Sequence, residues 1–441
     1  MHKGHKEIAT KLAVAALSFV ISCCAVGQGA PSPNTAAPKV LFVRCGKLIF
    51  DTDKPPMSPA SVIITDGKIT AVGANLTPPA GAQQVDWSHY TVLPGLLDAH
   101  IHLWTGPRAE HPSPQLAALR AQKAMKYALD SGVVAVRVLG SYDFLDVGLK
   151  QAIDEGTIPG PHVIPAGHAI SIPAGHGDQF TFPENIPLED VYTPLHGFIN
   201  SPADAEKAVH LQIKYGARVI KVLASGGVGS PLDSPYAEQV SPEELKVIVE
   251  QAHMAQIKVA AHVENIRSIT EAIEAGVDSI EHGSELTQHA IDLMKQHSTV
   301  LVPTVFIPYD IVTNGEKNHL PDYMLRKARD LYSKHEPSYQ MALKAGVTIA
   351  AGSDQSYEPG HGTVLDEITT MVHFGATPQQ ALTAATKTNA MLMGFADLGT
   401  VTEGKEGDLV AVDGDPLSDV TAMKRTKAVV FRGNLVAPAS R

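Results

Sequence analysis

The sequence predicts an α/β protein: a (β/α)8 TIM barrel with a small accessory β-sandwich domain formed from both chain ends. Short apolar runs alternate with amphipathic helical stretches through the middle of the chain, and eight such units can be counted. No glycine-rich dinucleotide loop follows the first of these strands, which disfavours an open doubly wound sheet. Hairpin patterns, rather than strand–helix units, occupy the two ends of the chain.

The predicted barrel spans residues 93–396, and its first strand lies in "TVLPGLLDAHIHL". Seven further strands follow in "VVAVRVLG", "HVIPAGHAI", "ARVIKVLASGG", "KVAAHVEN", "VDSIEHGSE", "TVLVPTV" and "VTIAAGSDQ". Between them lie helical stretches such as "SPADAEKAVHLQIKYG" and "SPEELKVIVEQAHMAQ". Ser-Pro followed by acidic residues begins a helix well, and glycine commonly ends one.

The accessory domain is predicted to combine residues 39–92 with residues 397–441. Asp66-Gly67 separates two alternating runs in "SVIITDGKITAVG", which is a strong hairpin signal. In "TKAVVFRGNLV" a similar turn is expected at Arg432-Gly433-Asn434. The two β segments could therefore pair with each other.

Composition limits the partners and the cellular location. The chain has 441 residues and a net charge of -11, with no basic run beyond the N-terminus, so nucleic acid is not the expected partner. Residues 1–30 have the charged, apolar, small-residue order of a signal peptide, which predicts an exported protein, periplasmic or secreted, with no membrane span in the mature chain. An N-terminal membrane anchor is the alternative, and "VISC" ending at Cys23 also resembles a lipoprotein signal that would anchor the chain by lipid. Only Cys45 lies beyond this segment, so no internal disulfide is expected.

Several polar residues stand at the carboxyl ends of apolar strands, where a barrel places its chemistry. His100 and His102 share one face of the first strand and are either a pair of metal ligands or two core histidines. Later strands contribute Lys221, His262, His282 and Asp354. These residue types at this end of a barrel predict a metal site.

Lys221 is unusual because it lies within an apolar strand. Burial and nearby cations both lower the pKa of an amine, and a neutral amine can react with carbon dioxide to give a carbamate. Such a carboxylated lysine could bridge two cations. A lysine that extends to solvent or pairs with a carboxylate is the alternative.

Together these residues resemble the dinuclear, carboxylated-lysine branch of the amidohydrolase superfamily. The H-x-H pair, "VIKVLASGG", "AAHVEN", "IEHG" and "AGSD" follow the order of that branch, and "LPGLLDAHIHL" and "GDLVAVDGDPL" also match. Within the superfamily the chain is most similar to prolidase-like dipeptidases and to amidohydrolases that act on ochratoxin A. The resemblance covers nearly the whole chain after the predicted signal peptide, or leader, of residues 1–30.

The resemblance implies two divalent metal ions, with zinc expected and manganese or cobalt as substitutes. His100, His102 and Asp354 would hold the more buried ion, His262 and His282 the more exposed one, and carboxylated Lys221 would bridge them. Asp354 would also be catalytic, taking a proton from the attacking water and passing it to the leaving nitrogen. Prolidase-like members often form octamers, which implies a homo-oligomer here.

Two loop residues are candidates to bind substrate. His176 lies among glycines in "GHAISIPAGHGDQF" after the third strand, where a loop histidine without a role is the alternative. Tyr236 lies in the loop after the fourth strand, where prolidase-like relatives place a substrate-binding tyrosine. The expected substrate is a small amide or dipeptide with a carboxylate near the cleaved bond, such as ochratoxin A or an Xaa-Pro dipeptide.

Three other functions are also to be weighed for this sequence. A lactonase or phosphotriesterase would keep the lysine and accept an ester, whereas an imidazolonepropionase-like ring opener would use one metal and lack the lysine. A barrel that serves only as a scaffold would lack metal ligands, and none is missing from this sequence.

Overall fold

The structure, a computed structural model, describes residues 38–103, 113–178, 191–357 and 363–436. The predicted leader, including Cys23, lies outside these residues and stays a prediction. Within the described ranges, none of the helices has the length and apolar character needed to cross a membrane.

Strands from both ends of the chain form one seven-stranded sheet in the order β14-β13-β12-β4-β1-β2-β3. The strands are β1 (Val40–Leu48), β2 (Ala60–Thr65), β3 (Lys68–Gly73), β4 (Gln83–Pro94), β12 (Leu409–Val412), β13 (Thr426–Phe431) and β14 (Asn434–Leu435). The pairing of the two chain ends is confirmed, because β4 lies between β1 and β12. In the described residues these strands form one continuous hydrogen-bonded sheet in which β4 pairs along both edges, and the predicted sandwich stays a prediction.

Both predicted hairpin turns are present. Asp66 and Gly67 have φ of 47° and 85° between β2 and β3, and Arg432 and Gly433 have φ of 49° and 71° between β13 and β14. Two successive residues with positive φ give the turn whose twist matches that of paired strands. The turn residues could therefore be read directly from the sequence.

The middle of the chain forms two parallel sheets. One contains β5 (Leu96–Ile101), β6 (Val133–Val138) and β7 (His162–Pro165) in that order. The other has the order β11-β10-β9-β8 and contains β8 (Val219–Leu223), β9 (Lys258–Val263), β10 (Ser279–His282) and β11 (Val300–Val302). Seven of the eight predicted strands are thus assigned, all in parallel pairs.

The segment of the eighth predicted strand, "VTIAAGSDQ", forms isolated β-bridges to its neighbours and no continuous strand. Ile349 bridges Leu301 of β11, and Gln355 bridges Ile101 of β5. On the other side, Ile170 beyond β7 bridges Val222 of β8. Backbone hydrogen bonds therefore join the edges of the two parallel sheets.

Helices lie between these strands: α1 (Pro114–Asp130), α2 (Leu145–Asp154), α3 (Pro202–Tyr215), α4 (Pro242–Met254), α5 (Ile266–Ala275), α6 (Gln288–His297), α7 (Phe306–Asn314), α8 (Asp322–Ala345), α9 (Val364–His373), α10 (Pro378–Thr383) and α11 (Asn389–Met393). The expected Ser-Pro starts are confirmed, since the hydroxyls of Ser113, Ser201 and Ser241 cap α1, α3 and α4. Each cap satisfies a backbone N–H that the first helical turn leaves without a partner.

Gly95 connects β4 to β5. A Cβ atom at this position would lie 2.4 Å from Cγ1 of Val134, so only glycine allows β5 to approach β6 this closely. The long sheet and the first parallel strand are thus one nearly continuous path of chain. Because β5 carries His100, this path sets the position of the site.

Candidate functional site

Three donor atoms form a small triangle at the end of β5. Nε2 of His100 lies 3.3 Å from Nε2 of His102, and Oδ1 of Asp354 lies 3.4 Å and 3.1 Å from these two nitrogens. Donor atoms about 2.1 Å from one tetrahedrally bound ion would be about 3.4 Å apart. The triangle therefore has the dimensions of a metal site.

The backbone holds Asp354 in an unusual conformation. Its φ is 54°, and its N–H donates to the carbonyl of His100 at 2.8 Å. Non-glycine residues in this region cost about 1 to 3 kcal/mol and often occur at functional sites. The buried Asp98 supports the same segment by accepting bonds from Ser353 Oγ at 2.6 Å and Tyr357 Oη at 2.9 Å.

A buried chain of side chains fixes the ring of His100. Its Nδ1 donates to Oε2 of Glu281 at 2.8 Å, and Arg137 donates to Oε1 of Glu281 at 2.8 Å. Arg137 also donates to Oγ of Ser279 at 3.0 Å. The carboxylate thus selects the tautomer of His100 in which Nε2 presents its lone pair to the triangle, an arrangement common behind metal-bound histidines.

A second donor group consists of His262, Glu264 and His282, whose donor atoms lie within 4.8 Å of one another. Nε2 of His262 donates to the carbonyl of Gly226 at 3.1 Å, which leaves Nδ1 as its donor atom. Nδ1 of His282 lies 2.7 Å from Oγ1 of Thr304, which leaves Nε2. The two predicted histidines therefore lie together and present one nitrogen each.

Glu264 was not predicted from the sequence to belong to the site. It follows His262 by two residues, so the H-x-E spacing at the end of a strand was the available signal. The side chain is buried and accepts a hydrogen bond from Ser284, whose hydroxyl also contacts Nδ1 of His335 at 2.8 Å. Burial raises the pKa of Glu264 to about 8.

Lys221 lies in the middle of β8 and is 1% exposed. Burial lowers the pKa of its ammonium to about 8. The alternative of a lysine extending to solvent is excluded by this burial. A considerable fraction of the amine is consequently neutral near pH 8, as reaction with carbon dioxide requires.

The rings of His100, His262 and His282 are held in the neutral form that metal binding needs. Burial, reinforced by the charge of Lys221, lowers the pKa of His100 well below its ordinary value, and burial likewise lowers those of His262 and His282. For Asp354, burial acts to raise the pKa, but its contacts, among them the hydrogen bond with His102 and the positive charge of Lys221, outweigh burial and lower the pKa to about 2. The site therefore combines neutral imidazoles with an ionised carboxylate.

The two residues predicted to bind substrate, His176 and Tyr236, lie in different surroundings. The ring of His176 stacks on that of His262, with centroids 4.3 Å apart and an interplanar angle of 21°, so the structure places His176 at the donor groups. The hydroxyl of Tyr236 instead contacts α8, where it donates to Asp330 at 2.5 Å and accepts from Lys334 at 2.9 Å. His176 lies next to the second donor group, whereas Tyr236 is engaged by the neighbouring helix.

The parallel strands, the H-x-H pair and the convergent donors define the class of this protein. The chain belongs to the amidohydrolase family, whose family model matches residues 91–436. Members of this family are metal-dependent, and both donor groups fit that requirement.

Individual relatives and solved structures are similar to this chain over most of its length. The chain is 36% identical to the ochratoxinase of Aspergillus niger over 427 residues, which covers 91% of this chain and 87% of that protein. Its structure is similar to that of A. niger ochratoxinase, with a TM-score of 0.81, 32% identity, and coverage of 91% of this chain and 98% of that one. A Xaa-Pro dipeptidase with methionine bound in its active site matches with a TM-score of 0.83 and 30% identity, covering 90% of this chain and all of that one (100%). This protein is accordingly a hydrolase that acts on amide C–N bonds.

Proposed function

We propose that this protein hydrolyses an amide bond next to a carboxylate-bearing residue, using two divalent metal ions held at the mouth of a closed barrel. The bridges at Ile349, Gln355 and Ile170 support closure, because they join the edges of both parallel sheets. The observation that carries the proposal is the triangle of His100, His102 and Asp354 beside the buried Lys221.

The two donor groups would each hold one ion. His100, His102 and Asp354 would bind the first. His262 and His282 would bind the second, with Glu264 as a further ligand from the same group. Lys221, carboxylated by carbon dioxide, would supply the bridging carboxylate. Imidazole and carboxylate ligands favour zinc.

When bound, the ions would make water a nucleophile near neutral pH and polarise the substrate carbonyl. Asp354 accepts the proton of the attacking water, because its low pKa keeps it ionised beforehand. The same carboxyl group then donates this proton to the leaving nitrogen. Glu281 and Arg137 keep the His100 ring in place while Asp354 exchanges its proton.

The relatives suggest the substrate class. Ochratoxinase and a Xaa-Pro dipeptidase both match over about nine-tenths of this chain. Ochratoxin A and an Xaa-Pro dipeptide share an amide bond close to a free carboxylate. We therefore propose small carboxylate-bearing amides as substrates, with His176 contacting them from its position on His262.

Zinc-loaded protein should hydrolyse ochratoxin A or Xaa-Pro dipeptides and should act poorly on the same compounds with the carboxylate esterified. Asp354→Asn should abolish turnover. Elemental analysis should find two metal ions per chain. Hydrolysis of lactones without hydrolysis of any of these amides would show that the proposed bond type is wrong.

A further inference from the structure

A hydrogen-bonded relay lies behind His176. Nδ1 of His176 is 2.7 Å from Oγ of Ser230, and that hydroxyl donates to Oδ1 of Asp233. Because a carboxylate can only accept, the hydroxyl proton points to Asp233 and the ring N–H points to Ser230. This relay fixes both the tautomer of His176 and the rotation of its ring.

Asp233 lies in the loop after β8, and its carboxylate is buried. Its side chain is 3% exposed and accepts bonds from the backbone N–H of Gly227 at 3.1 Å and Nε2 of Gln239 at 3.0 Å. Oε1 of the same glutamine accepts the backbone N–H of His176 at 2.9 Å. The carboxylate therefore ties the loop after β7 to the loop after β8.

Lys327 of α8 supplies the matching cation. Its Nζ donates to Asp233 at 2.9 Å, to the carbonyl of Ser230 at 2.6 Å and to the carbonyl of Gly227 at 3.0 Å. A lysine with three acceptors, 16% exposed in its side chain, is held far more firmly than a surface lysine. The helix thus anchors the carboxylate that supports the histidine.

Gly227 gives the His176 ring its space. A Cβ atom on Gly227 would lie 2.3 Å from Cε1 and 2.7 Å from Nε2 of His176. One face of the ring stacks on His262, and its edge packs against a position where only glycine leaves room. A side chain at position 227 would therefore displace the ring.

We propose that Asp233, anchored by Lys327 and acting through Ser230, is the positioning residue that holds His176 face to face with His262, where it contacts the substrate. This proposal rests on the proposed function for the substrate contact of His176. The contacts are local to two loops and one helix, so the positioning can be disturbed without removing any of the proposed metal ligands.

A double-variant cycle tests the relay. Asp233→Asn should lower kcat/KM on a carboxylate-bearing amide by about 10- to 100-fold, the usual effect of removing a partner behind a site residue, while metal content stays at the wild-type value. His176→Ala should cause a similar loss, and the double variant should lose no more than His176→Ala alone. Losses that multiply in the double variant, or full activity of His176→Ala, would overturn the proposal.

Gly227→Ala displaces the ring without changing any polar group. It should reduce kcat/KM in the same way, whereas Gly148→Ala, on the exposed face of α2 with open space around it, should behave as wild type. Equal behaviour of the two alanine variants would contradict the proposed placement.

Crystal structures of the zinc-loaded Asp233→Asn and Gly227→Ala variants separate this proposal from the proposed function. In both, the His176 ring should leave its stacked position on His262. A ring that stays in place in both variants overturns the positioning role, whatever the enzyme hydrolyses. If wild type cleaves no carboxylate-bearing amide, the proposed function fails and these structures alone decide the positioning role.

Discussion

Replacing Arg137 with methionine should destabilise the metal-free protein by about 3 to 5 kcal/mol, the usual cost of removing one partner from a buried ion pair. Arg137 is 2% exposed and Glu281 is completely buried. The guanidinium supplies bonds to Glu281, to Ser279 and to the carbonyl of Ala99. Methionine fills similar volume but leaves the carboxylate of Glu281 without its cation.

The double variant Arg137→Met/Glu281→Gln separates charge from packing. Removing the unpaired charge should restore more than half of the lost stability, because a neutral amide costs far less to bury than a carboxylate. His100 would still lose its carboxylate partner, so affinity for metal should remain lower by about 10- to 100-fold. Stability and metal affinity should thus respond differently to the same pair of substitutions.

Urea denaturation in the presence of a chelator, followed by circular dichroism, measures the change in the free energy of unfolding. Arg44→Met, at an exposed position of β1, is the matched control and should change stability by no more than about 0.5 kcal/mol. An Arg137→Met variant within about 1 kcal/mol of wild type, or a double variant no more stable than the single one, would show that the buried ion pair does not have this role.

The remaining predictions concern the lysine, the missed carboxylate and pH. Lys221→Ala should lose bound metal and turnover, and an added short-chain carboxylic acid should restore part of the turnover; full activity and metal content without the acid would exclude a bridging lysine. Glu264→Gln should lower the bound metal from two ions towards one per chain by elemental analysis, and unchanged content would show that Glu264 is not a ligand. Burial lowers the pKa of His162, His168 and His335 to about 4, so these residues are neutral in the fold and gain protons on unfolding. The stability that they contribute is therefore present above about pH 6.5 and is lost as the pH falls towards 4, by up to about 3 kcal/mol for each residue. Urea denaturation at several pH values should show this loss of stability as the pH falls. In His335→Gln the slope of the free energy of unfolding against pH should be smaller by the contribution of one proton. An unchanged slope would contradict the assignment.

The positions of the predicted metal ligands could be read from the sequence because polar residues at the ends of apolar strands are conspicuous. His100, His102, His262, His282 and Asp354 indeed converge in space, although their binding of metal stays a prediction. Their supporting partners could not be found in this way. Arg137 and Glu281 come from strands β6 and β10, and only the three-dimensional register brings them together.

Loop geometry limited the prediction of substrate contacts. His176 reaches the donor groups because Ser230 and Asp233, more than fifty residues later in the chain, hold its ring. Tyr236 lies in the expected loop, but its hydroxyl turns towards Asp330 and Lys334. Spacing along the chain does not encode such choices, because they depend on how a helix packs against the loop.

The central place of β4 in the long sheet also sets an order of assembly on the ribosome. Pro94 pairs with Leu409, and just beyond it the chain enters the segment that carries His100. At about 5 to 20 residues per second, synthesis of the intervening chain takes roughly 15 to 60 s. Until then one edge of β4 lacks its neighbouring strand, so the seven-stranded sheet cannot be complete before β12 has been synthesised.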